Sequence, residues 1–258
     1  MCPERADKQS MTKGSPKGAR QRADMLLVSR GLAESREQAQ MLIMEGLVFT
    51  SSGRVAKASS LLTAKAELEV RGRLPYVGRG GLKLAHALEQ FGLSPDGMVA
   101  LDLGASTGGF TDCLLQRGAR KMFALDVGHG QLDYRLRQDA RVVVMEKLNA
   151  RYPFELPESV DLVTIDVSFI SLKLVIPQAV AHLKDGGCLV ALVKPQFEAP
   201  KGDVGRGGVI KDPQVHAQVL AKTITWVVGS GLRLRNLCAS PILGDAGNKE
   251  FFLLLQKM

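Results

Sequence analysis

The stretch MVALDLGASTGGFTDCLLQRGARKMFALDV, residues 98–127, decides the fold. It begins with an apolar run, turns at Gly104, Gly108 and Gly109, continues as a helix, and ends in a second apolar run that reaches Asp126. Strand, glycine-rich turn, helix and strand in this order predict a right-handed βαβ unit of a parallel sheet. Loops at the carboxyl ends of such strands form the ligand crevice of α/β proteins. We therefore expect an α/β fold with a binding site at that edge.

The rest of the chain predicts more strands and helices of the same sheet. Residues 160–166 and 188–193 are apolar runs typical of strands buried on both faces, and helical patterns separate them from their neighbours. Residues 232–240 and 249–256 predict a final antiparallel pair. We expect a doubly wound, seven-stranded, Rossmann-like sheet preceded by a small α+β domain. The predicted organisation is a basic disordered tail (1–21), a small domain (22–72), a linker (73–80) and a large domain (81–258).

Charge and composition limit the class of protein. The formal net charge is +8, and residues 1–78 carry more of this excess than their length predicts. Such a distribution suits a polyanionic partner, although a solvated basic tail would also produce it. No apolar run resembles a signal peptide or a membrane span, and the cysteines and histidines lack the spacing of a metal site. We expect a cytoplasmic, metal-free protein with reduced thiols.

The small domain shows clear helix signals. Its first helix is predicted to end at Gly31, and its second to begin at Ser35, with Gln38 in capping-box position, and to end at Gly46. Residues 47–55 then predict a strand, a tight turn and a further short extended piece. The domain is therefore expected to be compact, with basic residues on its exposed edges.

Four ionisable residues occupy unusual positions in the large domain. Lys194 follows an apolar strand in CLVALVKPQFE, residues 188–198. Asp166 ends another strand, Glu250 begins the last one, and Lys83 lies in a helix that leads into the sheet. Charges next to apolar strands cost free energy unless they are paired. We therefore expect these two lysines and two carboxylates to meet in one cluster of zero net charge.

Several of these motifs resemble known families. The run RAD…L…GL…SR..A..LI..G.V resembles the S4 RNA-binding domain, and the D-x-G-x-x-x-G-G spacing from Asp102 resembles the first motif of S-adenosylmethionine-dependent methyltransferases rather than a dinucleotide or P-loop motif. The four ionisable residues fit the Lys-Asp-Lys-Glu pattern of FtsJ-type ribose methyltransferases. Together with GRGGLKL, GASTGGFTDCLL, VSFISL, LVKPQFE and DPQVH, they resemble the TlyA family of ribosomal RNA 2′-O-methyltransferases over residues 22–256. Members of that family often carry the label hemolysin.

The resemblance implies S-adenosyl-L-methionine as cofactor. Asp102, Gly104 and Ser106 would lie near its methionine part, and Asp126 would bind the ribose hydroxyls. Asn149 would lie beside the adenine, although such an asparagine can also cap a turn. The cofactor-binding candidates are Asp102, Gly104, Ala105, Ser106, Thr107, Gly108, Gly109, Phe110, Asp126, Val127, Asn149 and Asp166.

The resemblance also implies the reaction, 2′-O-methylation of a cytidine in ribosomal RNA. The catalytic candidates are Lys83, Asp166, Lys194 and Glu250. Lys194 would accept the hydroxyl proton or, if it stays charged, stabilise the alkoxide together with Lys83. Because the chain ends shortly after its last predicted strand, and some longer relatives modify both subunits, we expect a large-subunit target, with small-subunit RNA as the alternative.

RNA contacts are implied for four residues of the small domain, namely Arg22, Ser35, Arg36 and Lys57. The full set of RNA-binding candidates adds Arg54, Arg79, Lys201 and Arg206. The last two lie in the glycine-rich segment 198–213, which predicts either a mobile lid or an ordinary surface loop.

Other classes of protein fit the sequence less well. An inert RNA-binding ribosome-assembly factor would not need all four ionisable positions filled. A membrane-lytic protein would need an apolar span or a basic amphipathic helix. Pseudouridine synthases can carry an S4 domain, but they need no glycine turn for a methyl donor. We therefore expect a monomeric enzyme that acts on ribosomal RNA or ribosomal subunits.

Overall fold

The computed structural model describes residues 20–44, 46–72, 75–244 and 247–258. The chain divides into two compact units, Met1–Leu74 and Pro75–Met258, and each is described by itself. Residues 1–19 of the predicted tail and residues 73–74 of the predicted linker lie outside the described residues.

The first unit combines two short helices with short antiparallel strands. Its elements are β1 Arg20–Arg22, α1 Ala23–Ser29, α2 Arg36–Met44, β2 Val48–Thr50, β3 Gly53–Arg54, β4 Leu61–Thr63 and β5 Glu69–Val70. β1 pairs with β4, and β2 lies between β3 and β5. Arg20 and Gln21, which the sequence assigned to the tail, are therefore part of the folded unit.

Sequence signals at the start of α2 are largely realised. The Ser35 hydroxyl accepts a hydrogen bond from the backbone N–H of Gln38 at 3.1 Å, as an N-cap does. The Gln38 side chain accepts from the backbone N–H of Glu34 at 2.5 Å, one residue earlier than a capping box predicts. Leu27, Leu42 and further buried apolar residues form the core of this unit.

The second unit is a seven-stranded sheet with helices on both faces. Its elements are α3 Arg79–Phe91, β6 Val99–Leu103, α4 Gly109–Gln116, β7 Lys121–Asp126, α5 Tyr134–Gln138, β8 Val142–Glu146, β9 Val160–Ile165, α6 Leu172–His182, β10 Leu183–Val193, α7 Pro195–Glu198, α8 Pro213–Gly229, β11 Leu232–Ala239 and β12 Phe251–Lys257. The strand order is β11-β12-β10-β9-β6-β7-β8, and β12 is antiparallel to both of its neighbours. The doubly wound sheet with a final antiparallel pair is confirmed. Helix α3 already includes Arg79 and Gly80, which the sequence assigned to the linker.

Alternating side chains of the central strands bury the two faces. Leu101 of β6 belongs to a cluster that includes residues of α6 and α8. Ala100, its neighbour on the strand, belongs to the cluster that includes residues of α3 and α4. This two-sided burial explains why the strands are apolar without interruption.

The strand register brings residues that flank several strands to the same edge of the sheet. Val193 of β10 lies opposite Phe251 of β12, so Lys194 and Glu250 occupy adjacent positions just beyond this pair. Ala191 of β10 pairs with Ile165 of β9, which precedes Asp166. The carboxyl edge of the sheet therefore collects ionisable residues that are far apart in sequence.

A buried carboxylate joins three elements below this edge. Asp102 on β6 is fully buried, and its oxygens accept hydrogen bonds from the hydroxyls of Thr111 on α4 at 2.8 Å and Thr164 on β9 at 2.9 Å. Burial raises the pKa of Asp102 to about 7, although both hydroxyls oppose this shift. Asp102 thus links the helix after the glycine turn to the strand that precedes Asp166.

The raised pKa of Asp102 predicts a pH dependence of stability. An unfolded aspartate releases its proton near pH ~3.9, whereas folded Asp102 keeps it up to about 7. Between these values the folded state binds more protons, so stability falls as the pH rises, and the slope vanishes above the folded pKa. Asp102→Asn cannot titrate, so its unfolding free energy relative to wild type should rise by roughly 2–3 kcal/mol between about pH 5 and 8. Urea unfolding at several pH values measures this difference.

Asp185→Asn is the matched control, because Asp185 is 88% exposed. Its difference from wild type should stay nearly constant over the same range. A constant difference for Asp102→Asn as well would contradict the prediction.

Candidate active site

Two ion pairs form the centre of the carboxyl edge. Lys83 of α3 donates through Nζ to Glu250 Oε2 at 2.6 Å, and both side chains are almost fully buried. Lys194 Nζ lies 2.7 Å from Asp166 Oδ1. The structure therefore brings together all four catalytic candidates, each lysine with one carboxylate. Their roles in catalysis stay predictions.

The second pair is less completely satisfied than the first. Lys194 also donates to the Ser168 hydroxyl at 2.9 Å. The contact with Asp166 is close, but its angles are poor, so the buried Oδ1 of Asp166 has no well-directed hydrogen-bond donor. The Lys194 and Asp166 side chains are 12% and 21% exposed, against 8% and 3% for Lys83 and Glu250, so this pair is the more accessible half of the cluster.

Helix α3 approaches this cluster through glycines. A side chain at Gly80 would contact the Phe110 ring and come within 3.9 Å of Asp166 Oδ2, and one at Gly109 would lie 2.9 Å from the backbone N of Gly81. The start of α3 therefore packs directly against the glycine turn. This close approach explains the glycines of GRGGLKL, and it fixes Lys83 one helical turn further on.

The glycine turn itself requires backbone conformations and space that only glycine provides. Gly104 has φ +87 and Gly108 has φ +98, and a side chain at Gly104 would overlap the backbone carbonyl of Asp166. Ser106 adopts a left-handed conformation, φ 50, and is exposed. The turn therefore presents its backbone close to the Asp166 side of the edge.

Asp126 faces the turn from the end of β7. Its carboxylate accepts from the backbone N–H of Ser106 at 2.8 Å and of Gly128 at 2.7 Å, one on each oxygen. Each oxygen keeps a further acceptor position, which suits the two hydroxyls of a ribose. The turn carries no lysine or arginine, and a phosphate would face the Asp126 carboxylate. This donor and acceptor set fits a nucleoside with an amino-acid tail better than a nucleotide phosphate.

The other cofactor candidates fall into two groups. Ala105, Phe110 and Asp102 are buried, so a direct ligand contact by Asp102 would require its carboxylate to leave both threonine hydroxyls. Thr107 and Val127 are exposed beside the turn, and Val127 is 70% exposed. The buried residues can support the turn, and only the exposed ones can touch a ligand without rearrangement.

Asn149 caps the loop after β8. Its side-chain oxygen accepts from the backbone N–H of Arg151 at 3.0 Å, and its backbone carbonyl accepts from Tyr152 at 3.0 Å. The turn-cap role considered from the sequence is therefore present. A contact between the exposed Asn149 side chain and an adenine stays a prediction.

The RNA-binding candidates divide between the two units. In the first unit Arg22 and Arg36 form ion pairs with Asp24, Ser35 caps α2, and Arg54 and Lys57 are exposed. In the second unit, half-buried Arg79 begins α3. The backbone near Lys201 and Arg206 forms single turns, Lys201–Asp203 and Arg206–Gly208, while the side chains of these two residues lie outside the described part.

An exposed aromatic residue next to the cluster was not predicted from the sequence. Phe169, three residues after Asp166, is 90% exposed and has φ 62, a strained conformation for a bulky residue. Its ring lies 5.0 Å from that of Phe197 on α7, the helix that follows Lys194. In the sequence this segment is recognisable only through the family motif VSFISL. Neither the exposure of Phe169 nor its backbone strain can be derived from residue types. Strain at such a position is often maintained for a functional reason.

Asn248 was also missed, and it anchors the segment predicted as a lid. The side chain is buried, accepts from the backbone N–H of Ile210 at 2.9 Å and donates to the carbonyl of Gly208 at 2.8 Å. Buried His216 contacts the Ile210 carbonyl through Nε2 at 3.2 Å. This end of the segment is therefore tied to the loop that carries Glu250. Movement of its other end stays a prediction.

Two family models match the chain. The FtsJ-like methyltransferase model matches residues 76–257, and the S4 domain model matches residues 21–68. The fold and the edge cluster thus define a methyltransferase with an added S4 domain. Among curated proteins, "Putative rRNA methyltransferase YqxC" of Bacillus subtilis is 48% identical over 92% of this chain and 85% of its own length. "16S/23S rRNA (cytidine-2'-O)-methyltransferase TlyA" of Mycobacterium tuberculosis is 44% identical over 92% of this chain and 90% of its own length.

One solved structure is similar over most of the chain. "Putative hemolysin from Streptococcus thermophilus" is 43% identical, superposes with a TM-score of 0.73, and covers 94% of this chain and 90% of that chain. The chain belongs to the FtsJ-like methyltransferase family, in its TlyA branch with an amino-terminal S4 domain.

Two kinds of feature are absent from the described residues. No helix there is both long and apolar enough to cross a bilayer. In the same residues, no cluster of three or more His, Cys, Asp or Glu side chains is suited to hold a metal ion.

Removal of the Asn248 anchor should lower methyl transfer. In Asn248→Ala, the backbone N–H of Ile210 and the carbonyl of Gly208 lose their partner, at a cost of about 1–3 kcal/mol. The loop that carries Glu250 then loses its fixed position, and we expect methyl transfer to ribosomal subunits to fall about tenfold, because small misplacements are costly in catalysis. Radiolabelled methyl incorporation measures the rate.

Asn236→Ala is the matched control, since the exposed Asn236 side chain accepts only from its own neighbour Leu237. This control should transfer methyl groups at the wild-type rate. Equal rates for Asn248→Ala and Asn236→Ala would show that the anchor has no influence on the site.

Proposed function

We propose that the protein transfers a methyl group from S-adenosyl-L-methionine to the ribose 2′-hydroxyl of a cytidine in ribosomal RNA. The observation that carries this proposal is the position of two lysine–carboxylate pairs beside a glycine turn and an acidic residue suited to a nucleoside. The names of the Bacillus and Mycobacterium relatives support ribosomal RNA as the substrate. The large subunit is our first candidate, and small-subunit RNA is the second.

S-adenosyl-L-methionine, when bound, supplies an activated methyl group on a positively charged sulfur. Asp126 would accept hydrogen bonds from the ribose hydroxyls of this cofactor, because each of its oxygens has an acceptor position left. The backbone of the glycine turn would bind the amino-acid tail, and exposed Val127 would cover one side of the nucleoside. Asn149 is our candidate for the adenine contact.

Lys194 is the residue best suited to act on the substrate hydroxyl. The ribose oxygen must form a bond to the methyl carbon as the carbon–sulfur bond breaks, and its proton must leave. Lys194 Nζ would accept this proton if the amine is neutral, or hold the developing negative charge if it is protonated. Asp166 and Ser168 orient Nζ through contacts of 2.7 and 2.9 Å.

The buried pair would act electrostatically behind Lys194. Lys83 and Glu250 are 6% and 3% exposed, so water screens their charges weakly. Lys83 adds a positive charge near the reacting oxygen, and Glu250 keeps that charge in place. Because Lys83 and Glu250 neutralise each other, the buried pair tolerates its position better than a lone lysine would.

RNA binding is the second half of the proposal. The S4 domain supplies basic residues for phosphate contacts, and exposed Phe169 offers a ring on which an unpaired base can stack. The ring lies beside Phe197, on the short helix that follows Lys194. This location suits a target nucleotide whose ribose enters the site. We propose that the enzyme works as a monomer in the cytoplasm, where ribosomal subunits are found.

Two alternatives are less well supported. An inert assembly factor would not retain four charged residues paired at the cost of burial. A membrane-lytic activity, which the hemolysin label suggests, has no observation in its favour in the described residues. Failure to release liposome contents at micromolar protein would exclude lysis.

Loss of the Lys194 amine should abolish most of the activity. In Lys194→Met the methyl-transfer rate should fall by about 10²–10⁴-fold, the usual contribution of a positioned acid–base group. Cofactor affinity should change little, because Lys194 is not among the proposed cofactor contacts. Single-turnover methylation and cofactor titration by calorimetry separate the two effects.

Lys184→Met is the matched control, since it removes a surface ion pair with Asp161 far from the carboxyl edge. Full activity of Lys194→Met would refute the proposed role.

Mapping of ribose methylation tests the function as a whole. Ribosomal RNA from cells with and without the gene should differ at one or more cytidines, detected by mass spectrometry of nuclease fragments. Both subunits are mapped, since the name of the Mycobacterium relative includes both RNAs. Identical methylation in the two strains would contradict the proposal.

A further inference from the structure

Asp24 in the first unit is a buried carboxylate surrounded by donors. Its Oδ1 accepts from Arg22 Nε at 3.0 Å and from the backbone N–H of Met25 at 2.9 Å. Its Oδ2 accepts from Arg22 Nη2 at 2.9 Å, Arg36 Nε at 3.0 Å and Gln40 Nε2 at 3.1 Å. Asp24 itself is 0% exposed. Every acceptor position is therefore used within the unit.

The two arginines, in contrast, are only partly used. Their side chains are 41% and 48% exposed, so both arginines are partly accessible to solvent. An arginine has five N–H donors. Asp24 accepts from two nitrogens of Arg22 and from one nitrogen of Arg36. Both groups bind the same oxygen, so two like charges are held side by side, with only one negative charge between them.

These three side chains together carry one excess positive charge, and several N–H groups of the two arginines make no hydrogen bond to Asp24. Arg22 above all, with Arg36 and Gln40, holds the pKa of Asp24 well below its usual value, so the carboxylate stays charged. Arginine pairs bind phosphate well when their forks are fixed beforehand, because the loss of side-chain freedom has already occurred on folding.

We propose that Asp24 is a positioning residue that fixes Arg22 and Arg36 as one phosphate-binding fork, and that its ligand is a backbone phosphate of ribosomal RNA. The inference rests on the proposed function, since it takes the RNA as the partner. The new element is that the two arginines bind phosphate as a unit. The buried Asp24 carboxylate, which touches no RNA, holds them in that arrangement.

The substitution Asp24→Asn distinguishes the positioning role from a general electrostatic effect, because the two predict opposite changes in RNA affinity. Asp24→Asn removes a negative charge, so electrostatics alone predicts equal or tighter binding to a polyanion. If Asp24 positions the fork, binding should instead weaken, because the substitution replaces one acceptor oxygen by an amide nitrogen, which donates and cannot accept from the arginines. We expect the full-length variant to bind transcribed ribosomal RNA about tenfold more weakly, and the slope of log K against log salt to fall by about one. Filter binding at several salt concentrations measures both.

Glu67→Gln is the matched control, because it removes one negative charge from an exposed position of the same unit. It should bind as tightly as wild type or slightly tighter. Equal or tighter binding by Asp24→Asn would overturn the fork while leaving the proposed function intact. A wild-type chain that neither binds nor methylates ribosomal RNA would overturn both.

A second variant covers the case in which Asp24→Asn fails to fold, as thermal unfolding would reveal. The double variant Arg22→Lys, Arg36→Lys keeps both charges beside Asp24 but loses the planar forks. It should also bind about tenfold more weakly. Wild-type affinity in this double variant would overturn the proposal.

Discussion

The buried ion pair of Lys83 and Glu250 is the constraint on which the rest of the second unit depends. Each charge alone would be costly at this depth, so each requires the other at hydrogen-bonding distance. The two residues are 167 positions apart in sequence and 2.6 Å apart in space. Helix α3 must therefore pack where β12 begins, and the glycines at its start allow that approach. The geometry of the candidate site and the packing of α3, the first helix of the second unit, are therefore set by the same ion pair.

A second set of polar contacts holds the remaining parts of the edge in place. Asp102 ties α4 and β9 together below the turn, and Asn248 ties the segment after α7 to the loop before β12. None of these side chains needs to touch a substrate. Their hydrogen bonds are buried, so each one restricts the position of an element that holds a catalytic candidate. Buried polar groups have few alternative partners, so these hydrogen bonds favour one arrangement of the edge.

Residue patterns predicted much of this structure. The features that they did not predict depend on the lateral order of the strands and on backbone conformation. Apolar runs, glycines and charged strand ends were enough for the doubly wound sheet and for the expectation that Lys83, Asp166, Lys194 and Glu250 meet. The pairing of each lysine was not predictable, because strand ends define an edge but not the lateral order of strands. Insertion of β12 between β10 and β11 decides that order. Asp102 stays a cofactor-binding candidate from its place in the motif, but its burial in the core depends on the pleat of β6 and was not predicted. The exposure of Phe169 depends on a backbone conformation that its residue type does not indicate.

The position of β12 also has a consequence for how the protein is made. β11 is synthesised before β12 but contacts the sheet only through it. While a ribosome is still translating the residues after β11, that strand has no partner, and Lys83 is without its counter-ion. A growing chain can therefore assemble β6 to β10 early, but Lys83 and Glu250 can pair only when β12 emerges and inserts. The charged cluster at the carboxyl edge is therefore completed in a late step of the assembly of the sheet.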